Sequence, residues 1–212
     1  MKVIDLSHSL SSHTPVYPGT APPTIEPACT VLEHGFAETA ISMWSHTGTH
    51  LDAPSHLKSM GKSLDDFDMA HFYGPGLCID LSHVHGCCIG LAELEPYAQI
   101  LREVDFVLLA TGWDQYWGHE AYFHDYPVLA PGAAKWLSGF RLKGVGLDTL
   151  SADRDDSVKF PVHQVLLDQD IVLVENLTNL LQLPQSDFSF SCFPLSITGG
   201  DGSPTRAVGI VE

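Results

Sequence analysis

The sequence is short of positive charge. Of its 212 residues, Lys and Arg number 10 against 26 Asp and Glu, a formal net charge of -16. Phosphate backbones and anionic membrane surfaces are held by Lys and Arg, so nucleic acid and membrane are excluded as main partners. No apolar run approaches the ~20 residues of a membrane span. The opening MKVIDLSHSL lacks the apolar core of a signal peptide. No C-x-x-C pair occurs among the five cysteines, Cys29, Cys78, Cys87, Cys88 and Cys192. An odd count without such a pair predicts free thiols in a reducing, cytoplasmic setting rather than a secreted form with two disulfides. Repeats, low-complexity tracts and a linker are also missing, which predicts one domain over residues 1–212. What is present is a globular composition, 44% hydrophobic and 17% charged, together with 12 histidines that are potential cation ligands.

Strands and helices interleave along the chain. Residues 2–6, Gly76 to Val84, Asp105 to Ala110, Gly144 to Leu147, Ile171 to Val174 and Ala207 to Val211 have the apolar density of strands. Residues 28–33 and 37–45 predict a hairpin around His34-Gly35. Prolines at 15, 18, 22, 23 and 27 predict an extended surface loop over His13 to Pro27. Helical spacing marks Gly90 to Leu101, Pro131 opens a short helix, and His163 to Leu167 fits one or two turns. The class that follows is α/β or α+β with a mixed sheet.

One stretch stands apart, Ser45-His46-Thr47-Gly48-Thr49-His50-Leu51-Asp52-Ala53-Pro54-Ser55-His56. Imidazole and carboxylate suit divalent Zn and Mn. A helix would turn Asp52 about 200° from His50, and Gly48 and Pro54 oppose one. A flat strand would set His46 and His50 ~13 Å apart, too far for bonds of ~2 Å to one ion. A bend at or near Gly48 removes the conflict, and Pro54 lets His56 approach from another side. Further on, His163 stands near a helix start and Glu175 at the end of an apolar strand. Alone, Glu175 is a rim carboxylate; beside the first cluster, it and His163 become candidates to complete one metal site or make a second.

The run from His46 to His56 resembles the signature H-x-G-T-H-x-D-x-P-x-H of the metal-dependent cyclase-like hydrolases, a family that includes bacterial kynurenine formamidase and isatin hydrolase. The likeness extends to IDLSHSL, to the YPG at Tyr17–Gly19, to TGW at Thr111–Trp113, to GLDTLSAD at Gly146–Asp153, and to GGDGSPTRA at Gly199–Ala207. The resemblance implies a single-domain α/β fold of the swivelling β/β/α kind, with a mixed sheet flanked by helices, assembled as a homodimer or homotetramer. It implies one or two Zn or Mn ions per subunit. His46, His50 and Asp52 resemble one ion's ligands, and Asp52 resembles a bridge to a second held by His163 and Glu175. His56 resembles the general acid/base. Tyr17 stands where formamidases of this kind usually carry a substrate-stacking Trp, and Thr20 where an acidic residue is common.

The resemblance implies amide hydrolysis of a small molecule, and such a ligand set suits it. A divalent cation lowers the pKa of its water to ~7, and an imidazole of reference pKa ~6.5 can take a proton and return it to a leaving nitrogen. Arylformamidase action on N-formylkynurenine is the first expectation. Cyclic amide hydrolysis of the isatin kind is the alternative, and a metal-binding protein without turnover is the rival of another class. Other features point to structure. His83 to Cys88 reads as a surface loop rather than a soft-metal site, Cys192 as a buried thiol, and Gly199 to Gly202 as a turn. A lone Arg206 is expected to pair with Asp201 rather than with a substrate carboxylate. Trp113, Tyr116 and Trp117 suit a pocket floor and plain packing equally.

Overall fold

A computed structural model describes residues 1–84 and 88–212. In chain order its elements are β1 (Lys2–Asp5), β2 (Thr24–Cys29), α1 (Val31–His34), β3 (Glu38–Ser42), β4 (His50–Asp52), β5 (Tyr73–Asp80), β6 (Cys88–Ile89), α2 (Leu91–Leu94), β7 (Phe106–Ala110), β8 (Val128–Leu129), α3 (Pro131–Leu137), β9 (Gly144–Leu147), α4 (Pro161–Leu167), β10 (Val172–Glu175), β11 (Phe188–Ser191), β12 (Gly202–Pro204) and β13 (Val208–Val211). Among the described residues the main sheet is mixed, in the order β1-β13-β11-β5-β7-β9-β10-β4-β12. Its centre, β5-β7-β9-β10, is parallel. Both flanks are antiparallel.

The central strands are apolar throughout because both faces are covered. In β7, Val107 and Leu109 join one core with Leu77, Ile79 and Leu173, and the helices α3 and α4 supply Ala134, Leu137, Val162 and Leu166 to it. Phe106 and Leu108 face the other core, with Cys78, Val172, Val174 and Phe190. Ile4 of β1 and Leu51 of β4 meet in that second core although their strands stand near opposite ends of the order. The sheet therefore curls around it. The mixed α/β class read from the sequence is the one observed.

Three local expectations change. The hairpin exists, but it pairs β2 with β3, so residues 24–27 of the proline-rich stretch are strand rather than loop, and Val31–His34, expected as strand, is a helical turn. Pro27 is tolerated because the register shifts between Pro27 and Cys29; such an irregularity in a two-stranded ribbon spares the missing N–H. The helix expected over Gly90 to Leu101 breaks into α2 and two 3-10 turns, Glu95–Tyr97 and Ile100–Arg102, because Pro96 interrupts the α-helical ladder. The stretch at His83 to Cys88 falls partly outside the described residues; Cys29, Cys78, Cys88 and Cys192 are unpaired. Among the described residues, no helix is long and apolar enough to cross a membrane.

At the carboxyl end of the parallel strands, Asp148 ties β9 to the turn after β7. Its oxygens accept from Thr111 N–H and Oγ1 and from Gly112 N–H, at 3.1, 2.6 and 2.7 Å. Burial outweighs these donors and pushes its pKa from 3.8 up to about 7. A raised folded pKa means stability present below pH 4 that is lost as pH rises through about 7. Urea unfolding of native protein and of Asp148→Asn at pH 5 and pH 8 should show native stability falling relative to the variant by on the order of 2 kcal/mol. A constant difference would contradict the assignment.

Candidate metal centre

The chain turns at Gly48, whose φ is +67°, and a side chain there would also strike Leu10 Cδ2 at 2.6 Å. Glycine alone meets both demands. The turn delivers His50, Leu51 and Asp52 as β4, antiparallel to β10, with His50 opposite Glu175. Strand alternation sends Leu51 into the second core and leaves His50 and Asp52 on the face that carries Glu175. Pro54–His56 is a 3-10 turn that brings His56 back over the same point. On the other side, α4 packs against β10 and supplies His163. Pro161 opens that helix at a position that needs no N–H donor.

The side chains named from the sequence converge. His46 Nδ1 is 2.6 Å from Asp52 Oδ1, and His50 Nε2 is 3.3 Å from the same oxygen. His163 Nε2 lies 3.4 Å from Asp52 Oδ2 and 3.2 Å from Glu175 Oε1. His50 Nε2 is 3.7 Å from Glu175 Oε2. The rings of His46 and His56 are 4.0 Å apart. Among the described residues two triples have ligand atoms within 4.8 Å of one another, His46 with Asp52 and His56, and His50 with Asp52 and Glu175. The sequence grouped His46 with His50; the geometry places His56 beside His46 and Glu175 beside His50, with Asp52 common to both triples.

These residues fit a divalent cation. Asp52 and Glu175 are buried, and among the described residues no Lys or Arg lines the cavity they face. Buried carboxylates without such partners are held by imidazolium or by a metal. Each buried imidazole also turns one nitrogen inward and anchors the other. His50 Nδ1 lies 2.8 Å from Gly48 O, and His163 Nδ1 lies 2.7 Å from Asp153 Oδ2. With those outer nitrogens donating, each Nε2 presents a lone pair to the carboxylates, an arrangement that a cation between them makes favourable. Electrostatics agrees. Burial opposes a charged His46, yet Asp52 and then Asp201 raise its pKa to about 9. Burial likewise opposes charge on His163, and Asp153, Asp52 and Glu175 outweigh it. Asp52 is held well below the usual carboxylate range, against burial, by His46, His163 and His50. The cluster favours positive charge at its centre, and a metal competes there with protons. For His56 burial dominates and lowers the pKa.

A cavity of about 270 Å³ opens over this point. Tyr17, Trp44, Leu150 and Phe160 supply its apolar wall, and Ser151 and Asn176 add polar groups. Tyr17 therefore shares the cavity with His46, His50, Asp52, His56, His163 and Glu175 in its own subunit, its hydroxyl donating to Asp155 O at 3.3 Å. Trp113, Tyr116 and Trp117 do not line it. Trp113 and Trp117 pack against the cluster of Tyr122, Tyr126, Val128 and Leu150, and Trp117 stacks on His8 at 3.9 Å. Arg206 is not paired with Asp201 but with Asp5, at 2.8 and 2.6 Å, because β13 runs antiparallel to β1 and carries it there. Cys192 is fully buried and its thiol is pushed far up by burial, so it is no nucleophile.

Sequence reasoning missed four contributors. Asp153 accepts from Val162 N–H and His163 N–H, both at 3.0 Å, so it fixes the start of α4 as well as the His163 ring. Asn176, at φ 56°, donates to Gly48 O at 3.0 Å and accepts from Tyr122 Oη at 2.8 Å. Asp201 Oδ2 lies 3.1 Å from His46 Nε2. Trp44 is 58% exposed at the cavity rim. Asp153 and Asp201 stood inside motifs already noted, and a carboxylate beside a candidate ligand motif was the available signal. Trp44 and Asn176 carried none beyond adjacency to His46 and Glu175.

Comparison with known proteins gives a consistent family. The family model described as "Putative cyclase" matches residues 4–154. The kynurenine formamidase of Bacillus cytotoxicus is 33% identical over 207 residues, covering 97% of this chain and 95% of the relative. Isatin hydrolase A from Ralstonia solanacearum superposes with a TM-score of 0.89 at 27% identity, covering 100% of this chain and 92% of that one. A structure named as a "predicted metal-dependent hydrolase" from Bacillus stearothermophilus superposes with a TM-score of 0.82 at 26% identity, covering 100% and 98%. Fold, buried ligand cluster and these matches agree: the chain belongs to the cyclase family of metal-dependent hydrolases.

Proposed function

We propose that residues 1–212 form one amidohydrolase domain of the arylformamidase kind, cleaving N-formylkynurenine to kynurenine and formate. The observation that carries this is the meeting of the buried Asp52, Glu175, His50 and His163 with the half-buried His46, beside an aromatic cavity. The relationship to kynurenine formamidase over nearly the whole chain supports the substrate class. His46, His50, Asp52, His163 and Glu175 are the proposed ligands for one or two cations per subunit. Their nitrogen and oxygen donors suit Zn or Mn. A cation held there supplies Lewis acidity, polarising a carbonyl and acidifying water.

The chain's own groups do the rest. Tyr17, Trp44 and Phe160 hold the aryl ring, which sets the formyl carbon over the cluster. His56 stands at the mouth, more open than His46, His50 or His163, and partial desolvation of its ring lowers its pKa, so it is neutral at pH 7 and able to accept a proton. It removes the proton from the attacking water as the new O–C bond forms. It then gives that proton to the departing nitrogen as the C–N bond breaks. Trp44→Ala should raise KM about tenfold with kcat little changed, since it removes ring contact shared by ground and transition states. Steady-state kinetics decides; an unchanged KM would remove Trp44 from the substrate wall.

A cyclic-amide reading is favoured by the close superposition on isatin hydrolase A. The two differ in product. Formamide cleavage releases formate, whereas ring opening keeps both halves in one molecule. Cation-loaded protein given N-formylkynurenine and isatin, with formate and ring-opened acid assayed separately, separates them. No turnover of either substrate would favour a binding protein. We also infer a cytoplasmic homodimer or homotetramer. Val31, Leu32, Phe36 and Ile41 are exposed along the β2–β3 arm, an apolar surface suited to a second copy.

A further inference from the structure

His46 differs from His50 and His163 in where its outer nitrogen is held. His50 is anchored within its own loop and His163 within its own helix start, to Gly48 O and Asp153. The outer nitrogen of His46 reaches a distant part of the chain, Asp201 Oδ2 at 3.1 Å. We propose that the turn at residues 199–202 is the outer anchor of His46, with Asp201 a positioning residue for cation binding. This rests on the metal-hydrolase reading above.

Three further observations support it. A Cβ on Gly202 would lie 2.5 Å from His46 Cε1 and 2.7 Å from Nε2, so the imidazole is seated against bare backbone. The turn also grips the histidine-bearing segment before His46 and after Asp52. Asp201 Oδ1 accepts from Ser45 Oγ at 3.0 Å, and Asp201 O accepts from Ala53 N–H at 2.9 Å. The turn is itself fixed from outside: Gly199 N–H donates to the Asp65 carboxylate at 3.0 Å, and Gly200 O accepts from Leu64 N–H at 2.8 Å. A rigid turn that meets one ring by a hydrogen bond and by close packing fixes that ring's plane. His46 Nδ1 then faces Asp52 Oδ1 at 2.6 Å, the side on which a cation shared with Asp52 would replace the bridging proton.

The test compares native protein with Asp201→Ala, Asp201→Asn, Gly202→Ala and, as a control on turn rigidity alone, Asp65→Ala. The readout is the dissociation constant for Zn and for Mn, by competition with a chromophoric chelator, with thermal melts of the metal-free proteins alongside. Asp201→Ala and Gly202→Ala should bind ~10–100-fold more weakly. Asp201→Asn should fall between them and native, because an amide oxygen still accepts from His46. Asp65→Ala should stay within about twofold of native, since Leu64 N–H still holds the turn through Gly200 O and the His46 contact remains; a loss as large as that of Asp201→Ala would place the effect in turn rigidity and overturn the role given to the Asp201 carboxylate. If Asp201→Ala and Gly202→Ala bind as tightly as native, the proposal is overturned and the metal reading stands. The proposal is equally overturned if Asp201→Ala lowers the metal-free melting temperature without moving the dissociation constant, since that marks a purely structural role. Native protein that takes up neither ion overturns the metal reading and the proposal together.

Discussion

Asp52→Asn should abolish stable cation binding and lower kcat/KM by ~10³ or more, as expected when several kcal/mol of metal-derived stabilisation is lost at 1.36 kcal/mol per tenfold. Asp52 is the vertex shared by both triples of candidate ligands, within 2.6 Å of His46 and 3.4 Å of His163. Among the described residues, removing its charge leaves Glu175 as the one carboxylate within 4 Å of the inward nitrogens of His50 and His163. The fold should weaken in the metal-free protein too, because His46 and His163 carry raised pKa values that depend on Asp52. Taking one partner from such a buried cluster costs about 3–5 kcal/mol. Metal content, kinetics and metal-free melts test the three effects together. Near-native metal content in the variant would show that the cation, if present, is held elsewhere.

His56→Ala should lower kcat by ~10²–10⁴ while leaving the cation in place. His56 lies close enough to His46 and Asp52 to serve as a ligand as well as a proton carrier. The variant separates these roles. A proton carrier can be deleted without loss of metal, and added imidazole should restore part of the rate. A ligand cannot be deleted so, and the variant would lose both metal and activity. His56 is also more open to solvent than His50 and His163, which suits a group that exchanges protons with water. Activity within a few-fold of native would contradict its role altogether.

The histidine-bearing segment was legible because its chemistry is contiguous. His46 to His56 spans eleven residues, and the distances forbidden to a straight helix or strand required a bend where Gly48 stands. The central strands were legible as well, since burial on both faces leaves unbroken apolar runs such as Phe106–Ala110. His163 and Glu175 were legible only beside the first cluster, for nothing local distinguishes a carboxylate at a strand end that faces solvent from one that faces a cluster. Asp201 was not legible, because its partner His46 is 155 positions away and the Gly-rich sequence around it has the signature of an ordinary turn. Asp153 was hidden differently: it acts on a helix ten residues downstream, through backbone donors that the sequence does not display. The partner of Arg206 was misread for a similar reason. Proximity in sequence favoured Asp201, whereas β13 beside β1 made Asp5 the near neighbour. The hairpin shifted because proline was weighed against a central ladder, while β2 belongs to a two-stranded ribbon.

The most direct measurement is an anomalous difference map from crystals of native protein grown with Zn, recorded on both sides of the zinc edge. The account predicts a peak at ~2.0–2.2 Å from a carboxylate oxygen of Asp52 and from at least one imidazole nitrogen of the cluster. Crystals soaked in saturating Zn that show no anomalous density between Asp52, Glu175 and the histidines would contradict it.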